Sequence, residues 1–159
     1  MEKSTQRKFK QLIRTINWYP PYFFAGIKVI EYAEDFSSFK TQLKLTWYNK
    51  NLLGTAFGGS LYSMCDPFFM FILMIHLGEE YIVWDKHASI DFVKPGKGTV
   101  YAEFKLDKEQ IENVRNKVNE LGKFTFDFPC EVQDGAGQVI ARLNKGVYVK
   151  KKDRKVGAK

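Results

Sequence analysis

The sequence predicts an α+β fold, an antiparallel sheet curled around one long buried helix, and three of its features do so. Between Phe39 and Trp47 the residues Phe39, Thr41, Leu43, Leu45 and Trp47 alternate with Lys40, Gln42, Lys44 and Thr46, the period of two that makes one strand face apolar and the other wet. The stretch AFGGSLYSMCDPFFMFILMIHL, Ala56 to Leu77, is apolar on nearly every side, as a helix enclosed by a core is. Strands before and after this helix follow one another without the βαβ alternation of a parallel sheet. Five to six antiparallel strands must therefore supply the cover the helix needs.

Each element has its own signal. Ser4 to Trp18 reads as an amphipathic helix through Phe9, Leu12, Ile13 and Ile16, and Pro20 and Pro21 end it. Ile27 to Glu34 is a strand, and Asp35 to Ser38 turns it into the alternating one. An irregular stretch, Asn49 to Gly54, leads to the long helix, which starts near Phe57 or Gly58. Tyr81 to Val93 is a long strand, and after the turn Pro95-Gly96-Lys97-Gly98 the segment Thr99 to Leu106 is expected to fold back onto it as a hairpin. Asp107 and Gln110 form a capping pair for a short helix that keeps Ile111, Val114, Val118 and Leu121 face down. Lys123 to Gln133 and Val139 to Lys150 close the chain as a hairpin across Asp134-Gly135-Ala136-Gly137.

Length and composition bound the function. A chain of 159 residues, 45% apolar and 16% aromatic, reads as one domain over 1–159, with an N-terminal helix in 1–20 and a basic tail in 150–159. Its 14 Phe, 8 Tyr and 3 Trp argue for a packed core and against disorder. Only two cysteines occur, Cys65 and Cys130. With no signal-peptide pattern in MEKSTQRKFKQLIRT they are expected to be reduced thiols in a cytoplasmic protein, and no zinc-ligand spacing is present, so no metal is expected.

The net charge of +7 sits on the two ends: Met1 to Arg14 carries +4 and Val149 to Lys159 carries +5, leaving −2 on the 134 residues between. A nucleic-acid grip places its charge on a folded face, so no nucleic-acid partner is expected. The alternating Phe124, Phe126 and Phe128 are expected to face the core rather than to stack bases. Ala56 to Leu77 is long enough to cross a bilayer, but Asp66 and Pro67 stand in its middle and no second span follows, so no membrane span is expected.

Asp66 and the paired glycines carry the chemistry. Gly58 and Gly59 at a helix start let a ligand approach backbone amides that have no intrahelical partners and lie at the positive end of the dipole, as in an oxyanion hole. Tight packing is the alternative reading of the two glycines. A carboxylate inside an apolar helix is costly unless paired or used. At 1.5 Å rise per residue, Asp66 is expected about two turns beyond the glycines, within reach of a substrate held there. Gly58-Gly59-Ser60-Leu61-Tyr62 fails the G-x-S-x-G elbow. Neither histidine, His76 or His87, has spacing that supports a triad, and Cys65 in an apolar helix reads as packing.

The pattern N-x-x-G-T-x-x-G-G-x(6)-D, from Asn51 through Gly59 to Asp66, followed by A-S-I-x-F-x-x-P-G in the next strand, resembles the hotdog-fold thioesterases, and within them the PaaI-like (phenylacetyl-CoA) branch. The resemblance covers Thr46 to Val149. It implies a hotdog fold, an acyl-CoA thioesterase, a homodimer that joins two sheets and often a homotetramer, and active sites between protomers. By position it implies Asp66 as general base or nucleophile, Gly58 as the amide that polarises the thioester oxygen and Asn51 as a positioning residue. Gly59, Phe57, Asp85 and Lys86 fall where substrate-binding neighbours are expected, and only one of Asp85 and Lys86 should point inward. Relatives commonly have His where this chain has Phe57. No cofactor is implied beyond the coenzyme A of the substrate, whose acyl group is expected along Phe68, Phe69, Met70 or Phe71, with the basic tail near its phosphates. The rival expectation is a non-catalytic acyl-CoA or lipid-binding hotdog protein.

Overall fold

The computed structural model describes residues 3–152, with side chains from Phe9 onward. Its elements are α1 (Lys3–Ile16), α2 (Pro20–Ala25), β1 (Ile27–Tyr32), β2 (Ser38–Lys44), α3 (Gly58–Ser63), α4 (Phe68–Leu77), β3 (Tyr81–Phe92), β4 (Thr99–Lys105), α5 (Lys108–Leu121), β5 (Lys123–Asp134) and β6 (Val139–Lys151). All six strands join one antiparallel sheet in the order β1-β2-β4-β5-β6-β3. This sheet wraps α3 and α4, the predicted α+β arrangement.

The apolar helix is the core, in two pieces. Phe68, Phe69, Ile72, Leu73, Ile75 and Leu77 of α4 are buried, and Phe68 and Phe69 pack on Phe104 of β4, with Phe69 also stacked on Phe128 of β5. The span Gly58–Leu77 is long and apolar enough to cross a membrane, yet half of its apolar window is buried inside the fold. Between α3 and α4 the chain leaves helical geometry at Asp66-Pro67, a cis peptide. A single helix was expected, but proline has no amide hydrogen to continue one. Arg115 of α5 closes the other end of α4 by donating to the His76 carbonyl at 2.8 Å and to that of Leu77 at 3.4 Å.

One predicted pairing is overturned. β3 and β4 do not form a hairpin. β4 pairs with β2 and β5, while β3 lies along β6 at the edge of the sheet. The segment between them is a crossing rather than a turn: Gly96 accepts from the Ala56 amide beside the start of α3, and Gly98 accepts from that of Leu45. The apolar faces decide the partners, since Phe104 of β4 meets Phe39 of β2 and Val100 meets Leu43.

Other boundaries shift for local reasons. Pro20 and Pro21 follow α1 as predicted but also open α2, because proline suits the first turn of a helix. Gly26 ends α2 at φ 74°, packed so tightly on Asn49 and the Lys44 carbonyl that no Cβ fits. β1 stops at Tyr32, and β2 at Lys44 rather than Trp47, which is 83% exposed. Asn49 turns the chain there, its Oδ1 accepting from the Thr46 amide while its Nδ2 donates to the carbonyls of Ala25 and Lys44. The capping box of α5 forms as predicted, with Ile111, Val114 and Val118 buried and Leu121 left exposed. The β5–β6 hairpin forms, and Phe124, Phe126 and Phe128 pack against the core. Of the predicted tail, Lys150 and Lys151 end β6, and 153–159 lie outside the described residues.

Candidate active site

The helix break places a carboxylate between four elements. Leaving the helix frees backbone carbonyls, which cost free energy when buried unpaired. Here Thr41 of β2 donates to Met64 O at 3.1 Å, and the Tyr22 hydroxyl of α2 donates to Asp66 O. Held from both sides, Asp66 directs its side chain to Lys145 of β6, whose Nζ donates to Asp66 Oδ1 at 2.6 Å. The same ammonium lies 3.4 Å from Asp85 Oδ2 of β3, 3.3 Å from the Tyr62 hydroxyl and 4.9 Å from the Tyr62 ring centroid.

Lys145 is 1% exposed, whereas the Asp66 side chain remains 40% exposed. A buried ammonium is tolerated only when paired and hydrogen-bonded. Burial by itself lowers the pKa of Lys145, but the hydrogen bond and charge of Asp66, joined by Asp85, outweigh it and hold the lysine well above its ordinary value. Burial pushes Asp85 up to about 6, against the pull of Lys145 and with the help of the neighbouring Asp66 carboxylate. Asp85 Oδ1 is buried without a hydrogen-bond partner, so protonation lets this carboxyl donate to Asp66. Beside them Cys65 is kept a thiol, first by its hydrogen bond to Cys130 and then by burial, which fits an inert packing role.

Strand alternation explains who points in. On β6, Leu143, Lys145, Val147 and Val149 are buried, while Arg142 and Asn144 on the alternate phase are exposed. Asp85 pairs with Val147 and shares its inward phase. A bulge then follows, and His87 pairs with Gly146. Lys86 falls in the bulge, is exposed and reaches over the Tyr148 ring at 5.8 Å. Of the two expected neighbours, then, Asp85 joins the cluster and Lys86 does not.

Asn51, Phe57 and Gly58 come together elsewhere, in an apolar cavity of about 820 Å³ walled also by Leu53, Leu61 and Phe92. Asn51 spends its side chain on the loop: Oδ1 accepts from the Leu53 and Thr55 amides at 2.9 and 3.1 Å, and Nδ2 donates to Thr55 Oγ1 at 2.9 Å. It therefore shapes the approach to Gly58. The Phe92 ring lies where a Cβ on Gly58 would go, and the Phe57 ring covers Gly59 in the same way, so close packing is one use of both glycines.

Asp66 is not among the residues that line this cavity. Eight residues separate Gly58 from Asp66, about 12 Å along a helix axis. An oxyanion donor about 3 Å from the carbonyl oxygen and a nucleophile about 3 Å from its carbon leave the two groups no more than about 7 Å apart. The Gly58 cavity and the Asp66 cluster are thus two separate places in the chain, an apolar half and a polar half. Of the residues now in the polar half, Lys145 and Tyr22 were not singled out from the sequence. Lys145 carried a signal, a charge on the apolar phase of Leu143, Val147 and Val149. Tyr22 lies in a Pro-Pro segment that looked like a helix end.

Comparisons with known proteins fit this architecture. The protein PA5026 of Pseudomonas aeruginosa, described as a protein of unknown function and probable thioesterase, superposes with a TM-score of 0.74 at 18% identity, over 90% of this chain and 96% of that one. Thioesterase HI1161 of Haemophilus influenzae gives a TM-score of 0.61 at 10% identity, over 91% and 94%. The PaaI protein of the E. coli phenylacetic acid degradation operon gives 0.59 at 16% identity, over 93% and 96%. No curated protein matches the sequence. Residues 6–149 match the family model described as a domain of unknown function, DUF4442, so this hotdog-fold chain belongs to the DUF4442 family.

Proposed function

We propose that this protein is an acyl-CoA thioesterase whose active site forms between two copies of the chain, with Asp66 of one copy acting on a thioester polarised by the partner's Gly58. The observation that carries this reading is the Asp66 carboxylate, part exposed at a helix break and fixed by the buried Lys145 ammonium at 2.6 Å. Symmetry supports the pairing of half-sites. β3 is an edge strand paired on one side only, with β6. A two-fold axis between Ala88 and Ser89, joining two β3 strands antiparallel, would set Phe92 of one copy beside Asp85 of the other. Phe92 belongs to the Gly58 cavity and Asp85 to the Asp66 cluster.

In this site the helix-start amide takes the developing negative charge of the thioester oxygen. Asp66 either accepts a proton from attacking water or attacks the carbonyl carbon itself, the acyl-enzyme then being released by water. The carbon–sulfur bond breaks, and the leaving thiolate takes up a proton. Lys145 is a positioning residue that fixes the direction of the carboxylate. Asp85 is the second, pH-sensitive partner of the same ammonium.

The test is thiol release from short, aromatic and long-chain acyl-CoAs by the wild type beside Asp66→Asn. Turnover falls by about 10³ in a variant that remains folded, the scale of a lost general base or nucleophile. If neither protein turns over any ester while both bind acyl-CoA, the catalytic reading fails and a binding protein with a structural Asp66 stands in its place.

A further inference from the structure

A thioester has two arms, and the structure holds two apolar cavities beside the groups assigned to its carbonyl, which differ in the cations at their rims. The larger, at Gly58, carries Lys50 and Lys94 on its rim. The second, of about 550 Å³, lies between α1, α2 and the helix break. Leu12, Thr15, Trp18, Tyr19 and Phe71 form its walls, with Asp66 and Pro67 at its end. Among the described residues no lysine or arginine lines it.

From this difference, and resting on the thioesterase reading, we infer that the α1–α2 cavity is the acyl pocket. The Lys50 and Lys94 cavity takes the coenzyme A arm, and the substrates are medium-chain or aryl-substituted acyl thioesters. The coenzyme A arm carries phosphates, which cationic rims attract. An apolar acyl group gains most where its surface leaves water against aromatic walls, and pockets of this volume enclose such groups. α1 and α2 are built for it. They bury Ile13, Ile16 and Tyr22 in the core yet leave Leu12 43% and Trp18 74% exposed. Trp18 is stacked on Phe23, and Tyr19 packs edge-on against Tyr22, so the wall is stiff. The Tyr22 hydroxyl ties that wall to the Asp66 backbone. Phe68 and Phe69, expected as acyl contacts, are core residues, and of that helix face Phe71 lines this cavity.

The experiment compares kcat/KM for octanoyl-CoA and butanoyl-CoA in the wild type, in Thr15→Trp and Leu12→Trp, which fill the acyl pocket from exposed positions, and in Val93→Trp, which fills the other. Each buried methylene is worth roughly fourfold. Losing room for two of them lowers the octanoyl-to-butanoyl ratio about fifteenfold in the first two variants, with the ratio within about twofold of wild type in the third. The reverse pattern, or an unchanged ratio in all three, overturns the inference while leaving the thioesterase reading in place. A change in oligomer size without a change in ratio also overturns it, by making the α1–α2 wall a protein interface. If the wild type hydrolyses nothing, titration with octyl- and butyl-coenzyme A thioethers decides: the pocket stands if Thr15→Trp weakens the octyl ligand selectively, and falls if it does not.

Discussion

The two ends of the broken core helix solve opposite problems. Around Asp66 three ionisable side chains are drawn into the fold, and the design question is how to satisfy them. Lys145 answers it by bridging Asp66 and Asp85, while Thr41 and Tyr22 take the freed carbonyls. Around Gly58 the charges that line the cavity, Lys50 and Lys94, are exposed and need no partner inside the fold. Instead Leu52, Leu53, Phe57 and Phe92 are exposed on the surface, a concentration of apolar side chains that marks contact with another molecule. One end holds a reactive group without a binding wall on its β3 side, and the other holds a wall without a reactive group. In the proposed enzyme neither is a site alone, and a second copy of the chain would join them.

Complementation breaks or secures that comparison with the largest effect. Asp66→Asn and Gly58→Val each remove one half-site, the second because a side chain displaces the Phe92 ring from the helix start. Both homodimers are expected to be inactive. After mixing and subunit exchange, half the dimers are mixed and each of those keeps one intact site, so activity returns to about a quarter of wild type. If the mixture stays at the level of its parents, the site lies within one protomer and the two-fold argument collapses.

Next in size is Lys145→Met. It removes the ammonium and leaves two carboxylates facing each other. Turnover is expected to fall about 10²-fold because Asp66 loses its orientation. Breaking a buried pair costs about 3 kcal/mol of stability, read by urea unfolding. A purely structural lysine would lower stability and leave the pH profile of the remaining activity unmoved. A positioning lysine shifts the acid limb upward, since the attraction that opposes protonation of Asp85 is gone.

The same contrast explains what the sequence could and could not reveal. The apolar helix, the alternating β2, the α5 capping box and the closing hairpin are local patterns, set by propensity and period over a few residues, and all are present in the structure. Strand order is not local. Thr99 to Leu106 looked like the partner of Tyr81 to Val93 because it follows next, yet β5 and β6 lie between the two strands in the sheet, which leaves β3 at the far edge beside β6. Asp66 stood out as a charge in an apolar run, and Lys145 stands out by the same logic on a strand. The separation of Asp66 from Gly58 followed from the helix rise alone, whereas the α1–α2 cavity depends on how two helices pack over a break and leaves no mark in the residues.

The smallest effect, and the one that isolates Asp85, is in Asp85→Asn. Burial raises this carboxyl from 3.8 to about 6 in the folded state, so the folded protein binds the proton more tightly than the unfolded chain does. The resulting stability is fully present below pH 4 and is lost as pH rises through 6, because the unfolded state ionises freely while the fold resists. Asparagine keeps the shape and removes the ionisation. At pH 8 the variant is therefore expected to be more stable than wild type by about 3 kcal/mol, which is about 9 °C in Tm for a chain of this size. At pH 4 the two should melt together. The activity limb near pH 6 should vanish in the same variant if Asp85 shares its lysine with the catalytic carboxylate. A limb that stays at pH 6, or a variant that melts lower than wild type at pH 8, would remove Asp85 from the site and leave Asp66 and Lys145 as the whole of its polar half.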